Sequence, residues 1–353
     1  MSEPLISAIV VTRNRKEDLG RCLGSVAQQL YGNIELIIVD NGSTDGSAEW
    51  VREHYPECTL CISENNAGTS VTRNAALKLS KGEYIWFLDS DAYITDPSLG
   101  LALVRLFDQN PNLGAVGGEA VVDANNQIVG VKRQILERNG MLRSDFLVDL
   151  EPFEFFPVQC LPTCNLFVRR KVLEEVGGFD PIFFFYLEDT DLTYRIHKAG
   201  YQLGVIGRTP VIHSFSERSR ACHILEPRRN RNFLVLKNFS LSKIFLLPIF
   251  DVMYLCNPNS FRRTMNYARK SHLGTKAFVT VLSEAQALKS RPKQIMKAFL
   301  LAFAIAGSLA MSYVLLVPYI PAVLRSRWHK LNYIALTDMS RFRVERAARH
   351  ALQ

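Results

Sequence analysis

Acidic residues become scarce in the last third of this chain. Residues 221–353 hold only 5 of the 34 Asp+Glu but 21 of the 42 Lys+Arg. Residues 1–220 carry the other 21 Lys+Arg against 29 Asp+Glu, so an acidic part precedes a strongly basic one. That asymmetry points to a polyanionic partner, either nucleic acid or anionic lipid. A second absence chooses between them. No charged residue falls between Ala298 and Leu324, a run longer than the roughly 20 residues that cross a bilayer. Lys289, Arg291, Lys293 and Lys297 precede it, and Arg325, Arg327 and Lys330 follow it. Anionic membrane lipid is therefore the expected partner, and nucleic acid is not. With both flanks basic, loop charge does not orient the run. A re-entrant or in-plane segment, broken near Gly307 or at Pro318 and Pro321, is preferred to a single span.

Other absences remove whole classes. The seven cysteines are odd in number and scattered, which argues against a disulfide framework. Cys58 and Cys61, with Cys160 and Cys164, could suggest zinc. The first pair lies in a strand-like run, where positions three apart face opposite sides, so buried free thiols are expected. No Gly-x-Gly-x-x-Gly opens the first helix, which removes a dinucleotide oxidoreductase. Val11-Thr12-Arg13-Asn14-Arg15 contains no glycine, where a nucleotidyltransferase is expected to carry a Gly-rich loop. Met1–Pro4 runs straight into a strand-like segment, so no signal peptide is expected and the catalytic half is expected in the cytosol. There is no internal repeat and no low-complexity tract.

What is present is an ordered set of apolar runs, three of which end on acids. Leu36-Ile37-Ile38-Val39 stops at Asp40, and Tyr84-Ile85-Trp86-Phe87-Leu88 stops at Asp89-Ser90-Asp91. Phe183-Phe184-Phe185-Tyr186-Leu187 meets Glu188-Asp189-Thr190-Asp191. Short apolar runs closed by polar turns read as buried strands. Strands are expected at 5–11, 35–39, 59–62 and 84–88, alternating with helices at 16–29, from Ser43 or Thr44 to about 55, and at 70–79. This is a doubly wound, mostly parallel α/β sheet. A helix at 97–109 follows, then an edge hairpin from 115–122 and 127–132. A long loop is expected over 134–158, a strand at 165–168, a short helix to 176, a helix at 188–198 and a late strand at 211–213. Ligands of such sheets sit outside the carboxyl ends of the strands. Carboxylates gathered at that edge repel one another unless a cation lies among them, and a hard divalent ion shared with substrate phosphates answers that need.

After these pieces the chain resembles the family-2 glycosyltransferases of GT-A fold, particularly bacterial rhamnosyltransferase-like members. The resemblance rests on Ile9-Val10-Val11-Thr12-Arg13-Asn14, Val39-Asp40-Asn41-Gly42-Ser43-Thr44-Asp45, and Asn65-Asn66-Ala67-Gly68 with Arg73-Asn74. It continues through Phe87-Leu88-Asp89-Ser90-Asp91, Gly177-Gly178-Phe179-Asp180, Glu188-Asp189-Thr190-Asp191-Leu192 with Arg195 and Gly200, and His213. It covers roughly residues 5–240. The family implies that the loop after the first strand, with Thr12 and Arg13, joins Asp40 in gripping the nucleotide base, with Arg73 nearby. It implies that Asp89 and Asp91 form the metal motif, Asp91 as direct ligand and Asp89 closer to the ribose, with His213 reaching the metal or the diphosphate. Mg²⁺ or Mn²⁺ is the implied cofactor. Asp189 is assigned as the base that takes the acceptor's proton, with Glu188 and Asp191 as alternatives. Asn165 and Asp191 are placed on the acceptor side. Arg231, in Arg228-Arg229-Asn230-Arg231-Asn232, is placed on the donor diphosphate, with a lipid phosphate as the alternative.

The implied activity is inverting, metal-dependent transfer of one sugar from a nucleotide-diphosphate sugar to a lipid-linked or polysaccharide acceptor in cell-surface glycan assembly. Thymidine-diphosphate-rhamnose is the first donor expected and a uridine-diphosphate sugar the second. A non-catalytic glycosyltransferase-like membrane scaffold is the alternative, a nucleotidyltransferase a weaker one. Two departures bear on this: relatives often show two adjacent Asp residues where this chain has Asp40-Asn41, and the Gln-x-x-Arg-Trp of processive synthases is missing. The expected organisation is a GT-A domain at 1–220, a basic amphipathic helical region at 221–294, a membrane-embedded segment at 295–324 and a basic tail helix at 325–353. The expected location is the cytoplasmic face of the plasma membrane.

Overall fold

A computed structural model describes residues 3–122, 125, 127–148, 151, 154–207, 211–214, 225–245, 317–328 and 331–346. The chain divides into two compact units. One comprises Met1–Leu136, Leu142–Ser214 and Lys330–Gln353; the other comprises Glu137–Met141 and Phe215–His329.

In the first unit, β1 (Ile6–Thr12), β2 (Ile34–Asp40), β3 (Thr59–Ser63) and β4 (Tyr84–Asp89) alternate with α1 (Lys16–Ala27), α2 (Ser47–His54) and α3 (Thr69–Leu79). The four strands are parallel in the order β3-β2-β1-β4. They read as unbroken apolar runs because both faces are covered. Ala8, Val10 and Ile38 enter one core layer, and Ile9, Ile37 and Val39 the other. Register then sets the chemistry: Thr12 lies opposite Asp40, and Val11 opposite Asp89. Both acids are thereby delivered to one edge.

The chain continues through β5 (Ala92–Ile94), α4 (Leu99–Gln109), β6 (Leu113–Gly117), β7 (Glu119–Val122), β8 (Ile128–Leu136), β9 (Leu142–Val148) and β10 (Phe155–Pro157). Then come β11 (Asn165–Arg169), α5 (Arg170–Val176), α6 (Glu188–Lys198), β12 (Gln202–Ile206), β13 (Val211–His213) and, far along the sequence, β14 (Phe342–Glu345). The main sheet has nine strands in the order β10-β12-β6-β11-β4-β1-β2-β3-β14. β11 is antiparallel to both neighbours.

Three expectations are corrected here. The hairpin expected from 115–122 is split at Gly118, which has φ +122°. β6 stays in the main sheet, while β7, β8 and β9 form a separate three-stranded sheet. A Cβ on Gly117 would lie 2.2 Å from the Asn165 carbonyl oxygen, so glycine is required where β6 meets β11. The loop expected over 134–158 contains β9 and β10. The charges that hid β9 are cross-strand partners, with Arg133 directly opposite Asp145 at 2.7 Å. Finally, the tail is not a helix over 342–345. Phe342 is buried while Arg343 faces out, and β14 pairs antiparallel with β3, with Glu345 bonded to Arg52 at 2.7 Å. Just before it, the turn Tyr333–Leu336 donates two backbone N–H groups to the Gly177 carbonyl.

The second unit's described helices are α7 (Leu225–Asn238), α8 (Leu241–Phe245) and α9 (Ile320–Trp328). Phe233, Leu234 and Val235 of α7 are fully buried in succession, and the Phe233 ring meets Tyr319 at 5.4 Å. Residues 295–316 of the expected membrane-embedded segment lie outside the described residues, as do 221–224 and 246–294 of the expected amphipathic region. Among the described residues, no helix is long and apolar enough to cross a membrane.

Candidate active site

Thr12 and Asp40 close β1 and β2 side by side, both buried. Asp40 Oδ1 accepts the Ser43 N–H at 2.7 Å. Its Oδ2 and the Thr12 hydroxyl are buried with no partner among the described residues. Burial holds the Asp40 carboxyl above its usual range, against the Ser43 bonds that lower it. Buried polar atoms left open in adjacent strands call for a polar ligand. Ser43 and Thr44 do not cap α2; with Asn14 they tie the first loop to the second, at 2.9 Å and 2.7 Å. Asn41 explains its departure from a second Asp. Its amide donates to Asn66 Oδ1 at 2.9 Å and accepts from the Ala67 N–H at 2.8 Å, two roles a carboxylate cannot combine. Arg13 is exposed. Arg15 is the residue that turns inward, 3.1 Å from Asp91 Oδ2.

Asp89 ends β4 and Asp91 precedes β5. Strand β13 pairs with β5 so that His213 lies opposite Ala92, and the Ser214 N–H donates to the Asp91 carbonyl at 2.8 Å. His213 Nε2 stands 3.1 Å from Asp91 Oδ1 and 3.9 Å from Asp89 Oδ2. Ligand atoms of Asp89, Asp91 and His213 all fall within 4.8 Å of one another. Burial alone would raise the Asp91 carboxyl; the His213 bond and the charges of His213 and Arg15 hold it below the usual range instead. Two carboxylates and an imidazole converging at this spacing fit one Mg²⁺ or Mn²⁺ ion.

The third acid cluster is built by a strained loop. Tyr186 and Leu187 have φ of +73° and +65°, a conformation non-glycine residues seldom adopt. The N-terminus of α3 holds that loop: the Thr69 N–H donates to the Phe184 carbonyl at 2.9 Å, and Ser70 donates to that of Phe183. A Cβ on Gly68 would lie 2.6 Å from the Phe184 ring, so the approach requires glycine. Helix α6 then opens on Glu188 and Asp189. Glu188 Oε1 accepts from Arg73 at 2.7 Å and from Thr69 at 2.8 Å. The other arm of the Arg73 guanidinium donates to Asp89 Oδ1 at 2.9 Å. Arg73 therefore couples the Asp89 carboxylate to the Glu188–Asp189 cluster. Asp189 is half-buried and accepts the Thr190 N–H at 2.6 Å. Burial first, and then the Glu188 charge, push its carboxyl up to about 7 despite Arg73.

Two expected site residues of the first unit, Asp191 and Asn165, are held elsewhere. Asp191 is fully buried, with Oδ2 bonded to Arg195 at 2.9 Å; Arg195 in turn donates to the carbonyls of Val176 and Gly178. It fastens α6 to the Gly177-Gly178 turn and is not free to meet an acceptor. Asn165 is buried in β11, accepting from Trp86 Nε1 at 2.9 Å and donating to the Gly118 carbonyl at 3.1 Å. Its side chain ties β4 to the Gly118 link between β6 and β7. Arg231 lies on α7 in the second unit, bonded to Asn232 Oδ1 at 2.6 Å. Cys58 and Cys61 enter opposite core layers as buried free thiols, as expected. Sequence reasoning missed Arg15, Glu119 and Cys164. The last two lie behind His213, where no local pattern could announce them.

The model of the family described as Glycosyl transferase family 2 matches residues 7–177. That match and the relatives that follow support a family-2 glycosyltransferase. This glycosyltransferase is 28% identical over 246 residues to glycosyltransferase AglE of Haloferax volcanii, covering 68% of this chain and 72% of AglE. It is 29% identical over 236 residues to an N-acetylglucosaminyl-diphospho-decaprenol L-rhamnosyltransferase of Mycobacterium tuberculosis, covering 59% of this chain and 76% of that enzyme. A crystal structure of GalNAc-T7 with UDP, GalNAc and Mn²⁺ superposes with a TM-score of 0.55 at 15% identity. That match covers 66% of this glycosyltransferase and 48% of the other chain, and it shows the fold. The family match stops at Gly177, so Glu188, Asp189 and His213 lie beyond it.

Proposed function

We propose that this glycosyltransferase is an inverting, metal-dependent enzyme. It moves one sugar from a nucleotide-diphosphate sugar to a hydroxyl of a lipid-linked glycan at the cytoplasmic face of the membrane. The observation that carries the reading is the continuous chain Asp91–His213–Asp89–Arg73–Glu188–Asp189, which sets a metal-type cluster beside a carboxyl raised to about 7. Asp40 Oδ2 would accept a base N–H, with Thr12 beside it. Asp89, Asp91 and His213 would hold a divalent cation, which as a Lewis acid would meet the charge left on the departing diphosphate. Asp189 would take the acceptor hydroxyl's proton as that oxygen bonds to the anomeric carbon and the carbon–phosphate oxygen bond breaks. A carboxyl titrating near the working pH suits that exchange. Arg73 holds Glu188 and Asp89 apart and fixed, so neither competes for the proton.

The acceptor class rests on the mycobacterial relative, whose name specifies N-acetylglucosaminyl-diphospho-decaprenol, and on the basic composition of residues 221–353, which include the uncharged run. Thymidine-diphosphate-rhamnose is the first donor to test and uridine-diphosphate sugars the second. Donor turnover across such a panel, with Mg²⁺ or Mn²⁺ and then with chelator, tests the reading. Asp91→Ala is expected to lose donor binding, and Asp189→Asn to bind donor without turning it over. Absence of binding to every donor, with or without metal, would leave a scaffold as the answer.

A further inference from the structure

Glutamate is seldom buried without a reason, and Glu119 is buried at the start of β7. Two nitrogen groups face it. Lys132 lies directly opposite in the β7–β8 register, with Nζ 2.9 Å from Oε2. The ring of His213 presents Nδ1 to that same Oε2 at 3.8 Å. Cys164 completes this side of the ring, its Sγ within 4.8 Å of ligand atoms of both Glu119 and His213. The opposite ring nitrogen, Nε2, faces Asp91 and Asp89. The imidazole is therefore held between two acidic groups with different work: one pair converges on the candidate cation position, and the other lies behind it.

We infer that Glu119 is a positioning residue: it keeps the imidazole proton on Nδ1 so that the Nε2 lone pair is available to the cation. The inference rests on the metal-dependent reading proposed above. A neutral imidazole has one N–H, and ligation through Nε2 leaves that proton on Nδ1. At 3.8 Å the Glu119 carboxylate acts by charge rather than by a hydrogen bond. It favours the Nδ1–H tautomer and makes Nε2 the better donor. Lys132 is the cross-strand partner of Glu119 and does not itself meet the ring in this role. On this account the small β7-β8-β9 sheet exists to bring a carboxylate to the rear of His213.

The full chain, purified in detergent, is titrated with Mn²⁺ alone by electron paramagnetic resonance. The histidine ring nitrogens are observed by NMR in ¹⁵N-histidine-labelled protein with Mg²⁺, His213→Ala assigning the signal. Glu119→Gln is expected to weaken Mn²⁺ binding about tenfold, within the range seen for outer partners of metal-bound histidines, and to lose the dominance of the Nδ1–H tautomer. Lys132→Met breaks the same ion pair but leaves the carboxylate behind the ring, so its Mn²⁺ affinity is expected to stay at the wild-type level. Equal weakening in Glu119→Gln and Lys132→Met, or none in Glu119→Gln, would overturn the inference and leave an ordinary cross-strand pair. Failure of the wild type to bind Mn²⁺, or wild-type binding by Asp91→Ala, would instead overturn the metal reading itself.

Discussion

Asp189→Asn separates stability from activity at one position, and its effect can be worked out in advance. The folded protein holds the Asp189 carboxyl near 7, against 3.8 for an ordinary aspartate. Burial and the Glu188 charge both favour the protonated form, so the folded state binds that proton more tightly than the unfolded one. Stability attributable to Asp189 is therefore intact below about 3.8, falls as pH rises towards 7, and is flat above it. At 1.36 kcal/mol per pKa unit the loss has a ceiling of about 4 kcal/mol, reduced by the partial access of solvent to this side chain. Asparagine carries no charge at any pH. The variant is thus expected to be more stable than wild type at pH 8 by about 1–3 kcal/mol and no more stable at pH 4. Turnover runs the other way: the base must be ionised, so wild-type kcat/KM should rise about tenfold per pH unit up to about 7 and then level. Asp189→Asn should lose turnover by about 10²–10⁴-fold. Thermal denaturation at both pH values, beside a pH–rate profile from 5 to 9, decides the matter. A variant with no stability gain at pH 8, or a wild-type profile flat from 5.5 to 8.5, refutes the assignment.

Arg73→Met should destabilise the fold by about 3 kcal/mol, because it strands the buried Glu188 carboxylate without its cation; urea unfolding measures it, and Arg73→Lys should recover only part, lacking the two-armed geometry. Asn41→Asp should cost about 1–3 kcal/mol by the same assay, since the amide donor to Asn66 is replaced by a group that only accepts. Tyr333→Phe removes the hydroxyl that donates to Asp180 Oδ2 at 2.8 Å in a buried setting. A lowered Tm corresponding to about 1–2 kcal/mol is expected.

Which parts of the molecule the sequence disclosed follows from what each part depends on. Strands β1 to β4 are covered on both faces and therefore read as plain apolar runs, and parallel register carried Asp40 and Asp89 to the edge without further information. The bounds of α6 were legible because its acids precede an amphipathic turn and Gly200 follows it. Strand β14 was hidden because Arg343 and Glu345 are polar for a solvent-facing edge, and a basic stretch looks helical when its partner strand is unknown. Asn165 and Asp191 were misplaced because motif position cannot say which way a side chain turns: Trp86 and Arg195, remote in sequence, settle that. Arg13 and Arg15 are two residues apart in one loop, and only the folded loop distinguishes the exposed one from the one beside Asp91. Glu119 needed the small sheet, the late strand β13 and β5 all in place.

Strand β14 has a consequence for the order in which the molecule can be made. The main sheet's outermost strand on the β3 side lies at Phe342–Glu345, whereas β3 itself ends at Ser63. Everything between, including the uncharged run at 298–324, leaves the ribosome before the edge of β3 can be covered. During synthesis the nascent catalytic unit therefore presents an open strand edge for most of its elongation time. Whatever the apolar run engages, it can engage before that edge is closed.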